Sequence, residues 1–203
     1  VFLEGGAPVP ERLIRTYFER GITFVQGYGL SEAAPLALLL DQESALRKAG
    51  SAGKPPLFID VRIVRPDGTE CVPGETGEML VRGPNVMAGY WNLPETTRLN
   101  IDEEGWLRTG DAARADEEGY IWIVDRVKDA YISLGEVVYP GDVERGLALH
   151  PSVADAGVVG LMPGEEKVGR AFVVPAPAKE ISANDLLSYC RERLKPHEVP
   201  ESI

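Results

Sequence analysis

Cysteine and histidine are nearly missing from this chain, each occurring twice in 203 residues. Cys71 and Cys190 have neither metal-site nor redox-motif spacing, so a thiolate metal knuckle and a dithiol redox centre are excluded and both are expected as free thiols. His150 and His197 are paired with no nucleophile and are given no catalytic role; His150-Pro151 reads as a helix stop. Long hydrophobic runs are also absent. Pro35 to Leu40 is far too short to span a bilayer, and no basic segment followed by an apolar one opens the chain, so the expected setting is cytoplasmic. Positive charge is in deficit, with 21 Lys and Arg against 32 Asp and Glu, a net charge of -11 and a pI near 4.7. A broad nucleic-acid or anionic-membrane surface needs clustered cations and is therefore not expected. Any polyanionic ligand has to be held by local cations, backbone N–H groups and a metal ion.

What is present is the composition of an ordinary globular protein, 44% hydrophobic and long enough for one sizeable domain or two small ones. Val1 to Leu3, a glycine turn and an amphipathic stretch carrying Leu13, Ile14, Tyr17 and Phe18 predict strand, turn and helix. Thr23 to Val25 predicts a buried strand, with Gln26 to Glu32 as the loop at its carboxyl end, the edge where open α/β sheets bind ligands. From Gly50 the pattern is β-rich: Leu57, Ile59, Val61 and Ile63 alternate, Pro66-Asp67-Gly68 is a turn, and strands fit Glu78 to Val81, Ala112 to Ala115 and Tyr120 to Val124. Residues 50–126 are expected to form a small antiparallel sheet or distorted β-barrel. Beyond Asp125, Pro140 opens a helix with Val143, Leu147 and Leu149; strands fit Ala156 to Leu161 and Ala171 to Val174. Ser182 caps a last helix with Leu186, Leu187, Cys190 and Leu194 as its stripe. The expected organisation is 1–49 as the end of a larger α/β subdomain, 50–126 as the β-barrel-like subdomain, 127–128 as a hinge and 129–203 as a compact α+β unit.

Three stretches in fixed order carry the chemistry. Gln26-Gly27-Tyr28-Gly29-Leu30-Ser31-Glu32 offers an aromatic ring for a base, a glycine for close approach, a hydroxyl for phosphate and a carboxylate for Mg²⁺. An ordinary loop with Ser31 as a helix N-cap accounts for the same residues. Asp111 lies in a glycine-punctuated loop where it can accept hydrogen bonds from ribose hydroxyls, or simply form a surface turn. Asp125-Arg126-Val127-Lys128-Asp129 reads as a solvated charge run or as a linker that absorbs backbone rotation. Gly5-Gly6-Ala7-Pro8 admits a flat ring or only reverses the chain, and Ser133 to Pro140 combines a glycine turn with a helix start.

Together these segments resemble the adenylate-forming family of acyl-CoA synthetases, beetle luciferases and peptide-synthetase adenylation domains. The resemblance runs through GGAPVP, QGYGLSE, GEMLVRGPNVMAGYWN, GWLRTGD, GYIWIVDRVKDAYISLGEVVYPGDVE, HPSVADAGVVGL and AFVV. It implies a ligase that joins a carboxylic acid to AMP using ATP and Mg²⁺, then transfers the acyl group to coenzyme A; fatty acid metabolism is one setting for such enzymes. By similarity, Gly6, Ala7 and Pro8 line the adenine side with Gln26, Gly27 and Gly29 nearby, Tyr28 stacks on the base, Ser31 meets the phosphates and Glu32 binds the metal. Asp111 and Arg126 hold the ribose, Lys128 is the hinge, and Gly135 faces the coenzyme A channel.

The family's glycine-rich phosphate loop, ending in Pro-Lys-Gly, lies upstream of these motifs and has no counterpart here. Nor has the Gly-Lys element near the family's C-terminus. Leu134 stands where many relatives have glycine, and Met162 to Val168 is compressed. A chain starting at Val1 with these parts missing is expected to be a segment of an acyl-CoA synthetase, inactive by itself and completed by a missing N-terminal portion. The alternatives are a non-catalytic nucleotide-binding or regulatory module, or half of a split enzyme.

Overall fold

The chain begins with a parallel pair, β1 (Phe2–Gly5) and β2 (Phe24–Gly29), connected through α1 (Glu11–Glu19). Parallel strands need such a crossover. Tyr17 from α1 packs its ring against Phe2 and Phe24 on the two strands. β3 (Leu36–Leu39) adds antiparallel to β2, giving the order β1-β2-β3. The computed structural model describes residues 1–7, 9–161 and 168–203 and divides into two units, Val1–Ile123 and Val124–Ile203.

The rest of the first unit is a four-stranded sheet, β4 (Asp60–Val64), β5 (Thr76–Arg82), β6 (Leu107–Ala115) and β7 (Ile121–Arg126), in sequential order. α2 (Pro94–Asn100) lies between β5 and β6 in the chain, with proline in its first turn. The last residues of β7 already belong to the second unit. The expectation of a distorted barrel is corrected: β4 and β7 end the sheet and are not neighbours, so it stays open. Leu57, expected to lead into a strand, lies instead in a turn with Phe58, both exposed and Phe58 at φ 68°. The core instead combines Ala33, Ala37 and Leu38 from the first sheet region with Ile63, Met79, Val81, Leu107, Ala113 and Ile121 from the second.

In the second unit a hairpin, β8 (Tyr131–Ser133) and β9 (Glu136–Val138), precedes α3 (Pro140–Ala148), β10 (Val153–Leu161), β11 (Val168–Pro175) and α4 (Ala183–Arg193). β10 and β11 pair antiparallel with Gly160 opposite Gly169. A Cβ on Gly160 would lie 2.8 Å from the Tyr131 side chain, and one on Gly169 would lie 2.2 Å from its hydroxyl. The two glycines therefore make the space that Tyr131 fills, and burial pushes its phenol up to about 12. Ser182 accepts from the Asp185 backbone N–H, the expected N-cap, while Leu186 and Cys190 join Val143 and Leu147 in the core. No helix among the described residues is long and apolar enough to cross a membrane.

Candidate functional site

β2 delivers the first set of expected site residues. Gln26 to Gly29, read from sequence as loop, continue the strand because Gly27, Tyr28 and Gly29 find ladder partners on β3. Pairing overrides the weak strand preference of glycine. Gln26 is buried, its backbone carbonyl accepting from Leu40 N and its Oε1 having no partner among the described residues. Gly29 is required by its own chain, since a Cβ there would lie 1.7 Å from the Pro35 carbonyl oxygen, which accepts from Leu30 N at 2.8 Å. That bond closes the loop holding a 3₁₀ turn, Ser31–Ala33. Ser31 is exposed on the turn and does not cap it; the N-cap position is Leu30, with no side-chain cap bond. Gly6 and Ala7 follow β1 and are exposed, and Gly6 has a left-handed φ of 94°. Pro8 lies outside the described residues.

Asp111 is the clearest departure from the sequence reading. It is not in a loop or at the surface but within β6, only 5% exposed. Between Glu78 and Leu80 on β5 the partner on β6 jumps from Ala112 to Arg108, so residues 109–111 bulge out of the ladder. Gly110 takes φ 70° at the bend. Buried Thr109 fastens it, donating its hydroxyl to the Met79 carbonyl at 2.7 Å and accepting from Asp111 N at 3.1 Å. Bulges of this kind re-aim a side chain, and here the Asp111 carboxylate accepts a hydrogen bond from the Tyr28 hydroxyl, 83 residues away in sequence. Two residues chosen separately from sequence thus meet.

Glu32 also has a partner that sequence reasoning missed. Its Oε1 accepts from the Tyr90 hydroxyl at 2.9 Å. Burial first, then the hydrogen bond to Glu32, pushes the Tyr90 phenol above its usual range. The same segment holds the backbone of the turn: Met87 N donates to Glu32 O at 2.8 Å, and Asn85 Nδ2 donates to Ala33 O at 2.8 Å and Leu36 O at 3.0 Å. The signal lay in the stretch from Gly77 to Asn92, ending Gly89-Tyr90-Trp91-Asn92, but nothing local tells which acid its tyrosine meets.

Among the described residues no three Asp, Glu, His or Cys side chains converge as a metal cage. A lone carboxylate is nevertheless suited to Mg²⁺, which binds through one or two carboxylates and takes its remaining ligands from phosphates and water. Glu32, held through one oxygen, fits a metal that arrives with a nucleotide.

Arg126, Lys128 and Gly135 belong to the second unit. Arg126 ends β7 and Lys128 lies exposed in a 3₁₀ turn, Val127–Asp129. Between them and α3, Asp125 Oδ2 accepts from Gly141 N at 2.7 Å, which ties the end of β7 to the first turn of the helix. Gly135 forms the expected glycine turn, at the tip of the β8–β9 hairpin and ahead of the helix start at Pro140, with Leu134 at φ 51° and itself at φ 82°. Positive φ at both central residues is the geometry of a two-residue hairpin turn. Met162 to Lys167, where the sequence looked compressed, lies outside the described residues.

A family model for AMP-binding enzymes matches residues 1–91, and one for the AMP-binding enzyme C-terminal domain matches residues 142–203. The chain belongs to the adenylate-forming superfamily. Within this superfamily it is 48% identical over 200 residues to a feruloyl-CoA synthase of Amycolatopsis sp, covering 98% of this chain and 40% of that protein. It is 43% identical over 204 residues to the long-chain-fatty-acid–CoA ligase FadD13 of Mycobacterium tuberculosis, covering 100% and 40%. Among solved structures it is similar to o-succinylbenzoate coenzyme A synthetase (MenE) from Bacillus subtilis in complex with ATP and magnesium ion. That match has a TM-score of 0.84 and 41% identity over 98% of this chain and 41% of the other. The chain therefore spans about 40% of the length of these relatives.

Proposed function

We propose that this chain is the adenosine-holding part of an ATP-dependent acid–CoA ligase of the AMP-forming kind. The observation that carries the reading is the meeting of Tyr28 and Asp111 across 83 residues, with the Glu32 turn following directly on β2. A buried carboxylate with a phenol donor beside it can accept the two hydroxyls of a ribose while the tyrosine ring lies by the base. Gly6, Ala7 and Pro8 border the adenine, Gln26 and Gly27 support the strand beneath, and Gly29 keeps the turn tight. Ser31 offers its exposed hydroxyl to phosphate oxygens. Mg²⁺, held by Glu32, supplies neutralisation of phosphate charge. Arg126 contributes a cation toward the ribose, Lys128 is the swivel, and Gly135 borders the path of coenzyme A, in a chain organised as 1–49, 50–126, 127–128 and 129–203.

In the reaction proposed, a carboxylate oxygen bonds to the α-phosphorus of ATP and pyrophosphate leaves. The coenzyme A thiol then bonds to the acyl carbon, loses its proton and expels AMP. Both steps depend on positioning and charge stabilisation more than on covalent help from the protein. No glycine-rich phosphate loop or C-terminal Gly-Lys element is present in the sequence, so the 203-residue chain is expected to be inactive alone. Carboxylate-dependent ATP–pyrophosphate exchange tests this. The isolated chain should show no exchange and the protein including the upstream portion should show it; robust exchange by the chain alone, or none by the longer protein, would overturn the reading.

A further inference from the structure

We propose that Tyr90 is a positioning residue for the metal, acting through Glu32; this rests on the reading of Glu32 as the Mg²⁺ ligand. The 83–92 segment has no role in the function assigned above, yet it is the clamp on the turn that carries Glu32. Three backbone carbonyls of that turn region, those of Glu32, Ala33 and Leu36, accept bonds from Met87 N and Asn85 Nδ2. The fourth bond is of another kind, because it engages the carboxylate itself: Tyr90 Oη donates to Glu32 Oε1 at 2.9 Å.

Tyr90 is itself anchored from the far side. Its backbone N–H donates to Thr97 Oγ1 at 2.9 Å, and Thr97 donates in turn to Leu93 O at 3.0 Å within the first turn of α2. Gly89, at φ 149°, lies so close to Thr97 that a Cβ would come within 2.7 Å of its methyl group. A helix, the backbone bonded to it and a phenol thus end on one oxygen of the glutamate. A glutamate on a short surface turn has three rotatable side-chain bonds, and holding Oε1 restricts them. Oε2 then faces a metal in a single orientation. Outer partners of this sort commonly set metal affinity to about 10–100-fold.

The test uses the full-length protein and measures ATP affinity by calorimetry with Mg²⁺ and again in excess chelator. Tyr90→Phe keeps the ring and removes only the hydroxyl. It should weaken ATP binding about tenfold with Mg²⁺ and leave binding without metal unchanged, and raise the Mg²⁺ needed for half-maximal pyrophosphate exchange to the same degree. Equal weakening with and without metal would mark a merely structural role and overturn the proposal. Glu32→Gln should abolish the advantage conferred by Mg²⁺, and Tyr90→Phe added to it should cost nothing more. If Glu32→Gln loses that advantage while Tyr90→Phe keeps it, the positioning role fails and the ligand reading stands. A Mg²⁺ advantage that survives Glu32→Gln overturns the ligand reading and the proposal with it.

Discussion

A carboxylate as buried as Asp111 has to be satisfied by its surroundings, because an ionised group deprived of both water and partners is strongly disfavoured. Tyr28 supplies one hydrogen bond, and the Thr109 hydroxyl holds the strand in the bulge that aims the group. Asp111→Ala in the full-length protein should weaken ATP binding by about 1.5–3 kcal/mol, the loss of hydrogen bonds to a charged group. Direct calorimetric titration checks this, and unchanged affinity would remove Asp111 from the ribose site. The motif around Asp111 was legible in sequence, but its burial was not. Glycine on one side and arginine three residues before it look like surface, and only the pairing of β6 with β5 places Asp111 inside. Tyr90 escaped for a related reason: a hydroxyl that meets an acid 58 positions away leaves no trace in local spacing.

Among the elements, the helices were the most readable. Ser182, the acidic first turn and the apolar positions of α4 identify it without help, because capping and periodicity are local properties. The β8–β9 hairpin was not readable, since its strands are three residues each and its turn carries leucine where a left-handed residue is needed. A left-handed conformation costs a residue with a Cβ roughly 1–2 kcal/mol, while glycine loses roughly 0.5–1 kcal/mol more in backbone freedom on folding. Leu134 is 77% exposed, so little packing is lost on its removal. Leu134→Gly is therefore expected to stabilise the chain by about 0.5–1 kcal/mol. Urea unfolding followed by circular dichroism measures it; a lowered midpoint would show that the leucine contributes packing absent from this account.

At the scale of the whole molecule, the chain consists of two units whose division falls just before the Arg126 to Asp129 segment. If Lys128 is the swivel between half-reactions, Lys128→Pro, which fixes φ near -65°, should slow acyl transfer to coenzyme A and spare adenylation. Pyrophosphate exchange and thioester formation, measured separately on the full-length protein, distinguish this from general damage; an equal loss in both would count against a hinge. The sequence by itself determined the family, the order of the motifs and the helices α1, α3 and α4, because these depend on residue identity and near-neighbour spacing. Tertiary structure alone decided that the β-rich segment is an open sheet, that Asp111 is buried against Tyr28 and that Glu32 is held by Tyr90. Each of those outcomes is a pairing between strands or side chains far apart in the chain, and such pairings are settled by burial and hydrogen-bond satisfaction across the fold.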